Sequence, residues 1–285
     1  MTVETISRSR TITYRHPPDP ALLPPVLLEK CAKLDLKLPA AAALPIGRLI
    51  DLLDPTSPDT LVRDLRRIQH PLSPVVLKGA LDYGARWGRS TTEQLLVAHG
   101  IRAIAAADSV MHSFTHEIEA LATAINKIPT KVRRHNTRTK PDGLGQSLVF
   151  PPPHVMNEGI RNLEAWLYLN RKKSAVLQAA VACQVLLSCH PLPDGNGRAA
   201  RIVANALLIV RGKMSRATYI PLNEMFILAL GGMDIRSRAV DIYGRWPSWI
   251  GWFCDVIEIC IAASSALATR SRGGGAHPSI STTPI

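Results

Sequence analysis

Apolar residues recur through most of this chain at the three- and four-residue spacing of helices that bury one face. The stretch 174–188 is apolar on nearly every side, which predicts a buried central helix, and 197–211 follows it with one apolar face. Similar patterns predict further helices over 25–38, 59–69, 74–87, 91–124, 154–169, 221–230, 234–243 and 249–267. The pattern therefore predicts an all-α fold, a helical bundle.

The region 131–150 departs from this helical pattern. Turn-forming residues gather between 136 and 145, an extended run follows, and the prolines at 151–153 end it. This arrangement predicts a short β-hairpin, with a plain surface loop as the alternative. The second strand would comprise Gln146, Ser147, Leu148 and Val149, with Leu148 as the guess for an edge position.

Three parts of the chain follow from these patterns. Residues 1–99 form an N-terminal helical region, of which 1–20 look irregular because prolines at 17, 18 and 20 forbid a helix there. Residues 100–268 form the main domain, and Ser90 or Thr91 is the expected N-cap of the long helix over 91–124, which spans this boundary. Residues 269–285, rich in Gly, Pro, Ser and Thr, read as a flexible tail.

Composition supports a helical globular protein. Of 285 residues, 46% are apolar and few are aromatic, so the core must consist mostly of Leu, Ala, Val and Ile. The net charge of +12 suits an anionic substrate or partner, but the basic residues are scattered without interleaved aromatics, so nucleic-acid binding is the less favoured reading. Five cysteines without a Cys-x-x-Cys pair do not indicate a disulfide framework.

The sequence gives no sign of a membrane or a secretory route. Asp255 and Glu258 interrupt the late apolar segment 246–267, which argues for a core helix instead of a membrane span. No apolar run follows Arg8 and Arg10, so we expect a cytoplasmic protein, with specialised export still open.

The chemistry is concentrated in residues 190–201, which read His-Pro-Leu-Pro-Asp-Gly-Asn-Gly-Arg-Ala-Ala-Arg. A helix starting near Gly197 would direct its positive dipole end and successive N–H groups at a bound anion. Arg198 and Arg201 are three residues apart and share one face of that helix, where they suit a polyphosphate. Asp194 can hold a divalent cation, and His190 can take a proton from a hydroxyl near neutral pH.

This stretch resembles the Fic-domain signature His-x-Phe-x-Asp/Glu-Gly-Asn-Gly-Arg-x-x-Arg. Seven of its eight specified positions match, and Leu192 stands where the family usually has Phe. The resemblance implies a Fic-type bundle with a hairpin flap at about 131–150 that aligns a target segment by strand addition. Gly197 speaks against the phosphorylating Doc branch, which usually has Lys there.

The resemblance also implies an activity, transfer of AMP from ATP onto a Ser, Thr or Tyr hydroxyl of a target protein. His190 would be the general base and Asp194 the ligand of Mg²⁺ or Mn²⁺. Gly195, Asn196 and Gly197 would cradle the phosphates, with the Asn196 side chain also contributing, and Arg198 and Arg201 would neutralise the outer ones. Alternatives are transfer of UMP or phosphate, and a catalytically silent interaction module. The setting is open between a toxin, an injected effector and a housekeeping modifier.

Many members of that family are restrained by a helix reading Ser/Thr-x-x-x-Glu followed by Gly or Asn, whose glutamate pairs with the second motif arginine. Only Glu117 and Glu119 have a hydroxyl residue four positions earlier, and Ile118 and Ala120 follow them. We therefore expect a separate antitoxin-like inhibitor, with Glu117 as a diverged internal one in second place. A homodimer is left open.

Overall fold

The computed structural model describes residues 8–41, 64–69, 88–109, 113–139, 146–229 and 231–273. The all-α prediction is confirmed for this part of the chain, where the strands form only one small sheet. In chain order the helices are α1 Pro25–Lys37, α2 Arg89–Leu95, α3 Val97–Ala107, α4 Phe114–Asn126, α5 Pro153–Leu169, α6 Ala175–Cys189, α7 Asn196–Val210, α8 Leu222–Leu228, α9 Gly232–Tyr243 and α10 Trp246–Gly273.

The centre of the fold is the pair α6 and α7. The Ser174 hydroxyl accepts a hydrogen bond from Leu177 N–H and caps α6, whose side chains are buried on almost every side. Helix α3 packs on α7, while α1, α5 and α10 pack on α6. Because α6 ends and α7 begins at the loop 190–195, this loop is fixed from both sides by the core.

Most predicted helices lie where the pattern placed them, but the single helix predicted over 91–124 is wrong. The chain forms α2, α3 and α4 instead, with a break at Leu96, where φ is −98° and ψ is 0°. The predicted N-cap is also wrong, since α2 is preceded by Gly88 at φ 80° and has no side-chain cap. The helix predicted at 74–87 and most of that at 59–69 lie outside the described residues.

The predicted hairpin is confirmed in part and gains an unexpected strand. Strand β2, Gln146–Val149, pairs in parallel with β1, Arg8–Thr11, a segment expected to be irregular. Its other side carries an antiparallel arm at 137–139, with a bridge between Arg138 and Val149. The predicted turn at 140–145 lies outside the described residues. The sequence misses β1 because this polar segment gains its partner only through a contact far along the chain.

The last helix, α10, is long and apolar enough over Trp246–Ser265 to cross a membrane by length and composition. However, 67% of that window is buried inside the protein. The indole of Trp249 donates to the carbonyl of Ala180 in α6 at 2.8 Å. The helix therefore packs as a core element, as predicted.

Candidate active site

His190 is held at the end of α6 in a left-handed backbone conformation, with φ 48° and ψ 58°. Its N–H donates to Leu186 O at 3.2 Å, and its ring stacks on Phe150, with 3.8 Å between ring centroids. Non-glycine residues adopt this conformation rarely, and mostly where the surrounding structure imposes it. Burial lowers the pKa of the imidazole to about 4, so it is neutral and able to accept a proton at neutral pH.

Arg133 fixes the main chain around His190. Its Nε donates to His190 O at 2.7 Å, its Nη2 donates to Cys189 O and Pro151 O, and its own N–H donates to Pro191 O. These bonds tie the loop to the base of the hairpin. Sequence reasoning missed this residue, because its only signal was membership of a basic run between 131 and 140.

The loop after His190 is closed by Asn196. Its side chain accepts from Leu192 N–H at 2.8 Å and donates to Leu192 O at 2.7 Å, while both residues are buried. These two bonds use one N–H and one lone pair of the amide, so the expectation that this side chain also binds phosphate stays a prediction. Leu192, which stands at the position of Phe in the Fic-domain signature, is fully buried and anchors the loop.

Gly195 precedes α7 at φ 87°, a value that favours glycine. A Cβ at Gly195 would lie 3.0 Å from the Ile125 side chain, and a Cβ at Gly197 would lie 3.1 Å from an Arg201 nitrogen. The N–H groups of the first turn of α7 have no partner within the helix, and helix ends of this kind are suited to binding anions. Residues 195–197 therefore lie at a helix N-terminus, and their role as a phosphate cradle stays a prediction.

Asp194 and Arg198 lie together beside this cradle. Asp194 Oδ1 accepts from Gly195 N–H at 2.6 Å, and Oδ2 accepts from Arg198 at 3.1 Å. Arg198 also donates to Asn126 Oδ1 and to Ile125 O, so α4 helps to orient it. The Asp194 side chain is 81% exposed, which leaves its carboxylate accessible to a cation.

Arg201 is turned inward, onto Glu93 of α2. Its Nε donates to both carboxylate oxygens at 3.1 Å, its Nη2 donates to Oε1, and the hydroxyl of Tyr219 donates to Oε2 at 3.1 Å. The two side chains are only 10% and 2% exposed. Burial raises the pKa of the Glu93 carboxyl, and Arg201 and Tyr219 oppose this shift by stabilising the anion.

Neither glutamate considered from the sequence contacts Arg201. Glu117 lies 3.6 Å from Arg102, and Glu119 pairs with Lys131 at 2.8 Å. The spacing rule missed Glu93 because Arg89 precedes it by four residues and Gln94 follows it. In the structure, Arg201, the second motif arginine, is therefore paired with a different glutamate, Glu93.

The motif residues and helix α2 line one cavity of about 520 Å³, a volume within the range of small-molecule sites. His190, Asp194 and the first turn of α7 form one wall, and α2 forms the other. Helix α2 also contributes the exposed side chain of Arg89, which has no ion-pair partner among the described residues. The predicted motif residues 190, 194–198 and 201 are thus brought together, and α2 completes the site from outside the motif.

The predicted flap residues do not line this cavity, whereas Phe150, which directly follows them, stacks on His190. Leu148 O accepts from Thr139 N–H, Leu148 N–H donates to Thr139 Oγ1, and Phe150 N–H donates to Thr137 O. On the opposite side of β2, Ile12 N–H donates to Val149 O. Leu148 is therefore not an edge position, because both edges of β2 are already paired.

The arm at 137–139 carries the outward edge of this small sheet. Since Thr137 O and Thr139 N–H point at β2, the N–H and C=O of Arg138 between them point away from it. A groove of about 810 Å³ runs between Asp194 and residues 131–137, which lead into this arm. This edge and groove adjoin the motif loop.

Comparisons with known proteins agree with this geometry. Residues 112–208 match the model of the Fic/DOC family. A stretch of 68 residues is 40% identical to the probable protein adenylyltransferase aq_aa38 of Aquifex aeolicus (strain VF5), covering 24% of this chain and 21% of that protein. The match thus spans about a fifth of that relative's length.

A solved Fic family protein from Desulfovibrio desulfuricans G20 has a similar fold. The TM-score is 0.53 at 14% identity, with 91% of this chain and 78% of that chain covered. At this identity the likeness concerns the fold alone. The chain is thus similar to the Fic/DOC family over residues 112–208, the stretch that contains the loop 190–201, and it shares the fold of this solved structure.

Proposed function

We propose that this protein transfers AMP from ATP to a hydroxyl side chain of a target protein. The observation that carries the proposal is the convergence of a neutral, positioned imidazole and a helix N-terminus with two arginines in one cavity. The relative named as a probable protein adenylyltransferase supports the same reaction.

In this proposal His190 removes the proton of the target hydroxyl as its oxygen attacks the α-phosphorus of ATP. The new bond joins that oxygen to phosphorus, the bond to the bridging oxygen of the β-phosphate breaks, and pyrophosphate leaves. The N–H groups at the start of α7 and the Arg198 guanidinium stabilise the charge that develops on the phosphate oxygens. Arg133 and Phe150 keep the imidazole in position during the proton transfer.

Asp194 would hold a divalent cation on the nucleotide phosphates. An exposed carboxylate beside an anion cradle fits Mg²⁺, which usually takes one or two carboxylates and completes its shell with phosphates and water. No cluster of three or more His, Cys, Asp or Glu occurs among the described residues, so such an ion would rely on the substrate's phosphates. The cation would supply charge neutralisation on the phosphates.

The Glu93–Arg201 pair bears on how the reaction is restrained. An Arg201 side chain that is bound to Glu93 is not free to bind an outer phosphate. We therefore propose an internal restraint in place of the separate inhibitor expected from the sequence. Release of Arg201 from Glu93 would accompany productive ATP binding.

Labelled ATP in a cell lysate tests the proposed function. Mass spectrometry should find AMP on hydroxyl side chains with the parent protein and none with His190→Ala. Modification that persists in this variant would show that His190 is not the base. Adducts of UMP or phosphate would select those alternatives, and the absence of any adduct with both the parent and Glu93→Ala would favour an interaction module.

A further inference from the structure

Helix α2 is too short to hold Glu93 in place by itself. It has seven residues, and Gly88 at its N-cap has no side chain that could cap it. Isolated helices of this length are unstable in water, so contacts with the rest of the protein must fix its position. Gln94 donates to Ala217 O at 3.0 Å, and two further contacts, at Ser90 and at Glu93, involve buried carboxylates.

The first contact joins Ser90 to Glu224 of α8. The Ser90 N–H donates to Oε1 at 3.3 Å and its hydroxyl donates to Oε2, and both residues are fully buried. Hydrogen bonds to a buried carboxylate are stronger than those between neutral groups, and leaving that carboxylate without donors is costly. Glu224 therefore holds the first turn of α2 against α8.

The second contact joins Tyr219 to Glu93. The segment that carries Tyr219 is held by Asn205 of α7, whose side chain accepts from Ile220 N–H at 2.8 Å and donates to Ile220 O at 3.1 Å. The same Asn205 amide also donates to Arg201 O. One turn of α7 thus fixes Arg201 and, through Tyr219, the carboxylate that binds it.

We infer that Tyr219 and Glu224 are positioning residues that determine whether Arg201 binds Glu93 or an outer phosphate of the nucleotide. This inference rests on the proposed function of the site. Loss of either contact weakens the hold of α2 on Arg201 but removes no group that touches the substrate. ATP binding should then become tighter, whereas a nucleotide without outer phosphates should bind unchanged.

The test compares ATP and AMP affinities by titration calorimetry for the parent, Tyr219→Phe and Glu224→Gln. Since one hydrogen bond to a charged group is lost, ATP should bind roughly tenfold to a hundredfold more tightly to each variant. AMP affinity should stay the same. Tyr168→Phe, which removes a hydroxyl from the exposed surface of α5, is the matched control and should change neither affinity.

A double-variant cycle separates positioning from a general structural effect. In a Glu93→Ala background, Tyr219→Phe should cause no further change in ATP affinity, because its partner is already absent. Amide hydrogen exchange of residues 89–96 should accelerate in Tyr219→Phe and in Ser90→Ala. This measurement reports on α2 itself, even if one variant is less stable overall. Equal changes for ATP and AMP, additive effects in the cycle, or unchanged exchange would overturn the inference. Failure of the parent and of Glu93→Ala to bind ATP at all would instead contradict the proposed function.

Discussion

The guanidinium of Arg201 donates to both carboxylate oxygens of Glu93, with Nε 3.1 Å from each. Glu93 comes from a short helix 108 positions earlier in the chain, outside the motif. The second motif arginine is therefore neutralised by a group from a separate element. This relationship links the stability of the fold to the charge that Arg201 presents at the cavity.

Glu93→Ala is expected to make the ligand-free protein less stable and its ATP binding tighter. Removing one partner of a buried ion pair costs about 3–5 kcal/mol, because the remaining charge stays buried. ATP should recover part of this loss by supplying a new anion for Arg201. Thermal melts with and without ATP measure both effects.

Glu117→Ala is the control, because its carboxylate lies near Arg102. If ATP raises the melting temperature equally in Glu93→Ala, Glu117→Ala and the parent, the role of Glu93 is contradicted. A larger gain in ATP affinity or auto-modification for Glu117→Ala would restore the sequence-based alternative.

The acid limb of the profile of activity against pH should report the environment of His190. Its pKa in the folded protein is about 4, below the ordinary 6.5, so the ring stays neutral as pH falls well below neutrality. The unfolded chain takes up that proton at higher pH, so folding stability is lost between these two values as pH decreases. Activity should persist as the pH falls below 6.5, because the folded protein keeps His190 neutral until the pH approaches about 4.

Phe150→Ala removes the ring that stacks on His190 and admits water. The pKa of the imidazole should rise toward its ordinary value, and the acid limb should move up with it. NMR titration of the His190 ring checks this directly. An acid limb near the ordinary histidine value in the parent would show that burial does not govern the base.

Asp194→Asn should abolish the contribution of Mg²⁺ to ATP affinity. In the parent, ATP should bind more tightly with Mg²⁺ than with a chelator, and the variant should lose this difference while keeping metal-free binding. Asp108→Asn, which alters an ion pair with Arg211, is the control. If Mg²⁺ increases the ATP affinity of Asp194→Asn as much as that of the parent, this carboxylate does not bind the metal.

Arg138→Pro tests the outward edge of the flap, in place of the Leu148 position guessed from the sequence. Proline removes the N–H that points away from β2 and spares the two bonds of the arm to β2. We expect target modification to fall while ATP binding is unchanged. Arg138→Ala keeps the main-chain donor, so equal losses in both variants would assign the effect to the side chain.

Local patterns predicted the parts of the site that are contiguous in sequence. His190, Asp194 and the α7 N-terminus follow from one stretch of twelve residues between two apolar helices. Glu93, Tyr219 and β1 could not be predicted in this way, because each acquires its role from a distant contact. Ser90 looked like a helix cap because its hydroxyl could serve locally, but the buried carboxylate of Glu224 is its partner.

The position of the label transferred from ATP distinguishes AMP transfer from phosphate transfer. Glu93→Ala, incubated with a lysate and ATP labelled on either the α- or the γ-phosphate, should transfer the α label to protein and not the γ label. The same variant carrying His190→Ala should transfer neither. Transfer of the γ label alone, or transfer of the α label without His190, would contradict AMP transfer by this site.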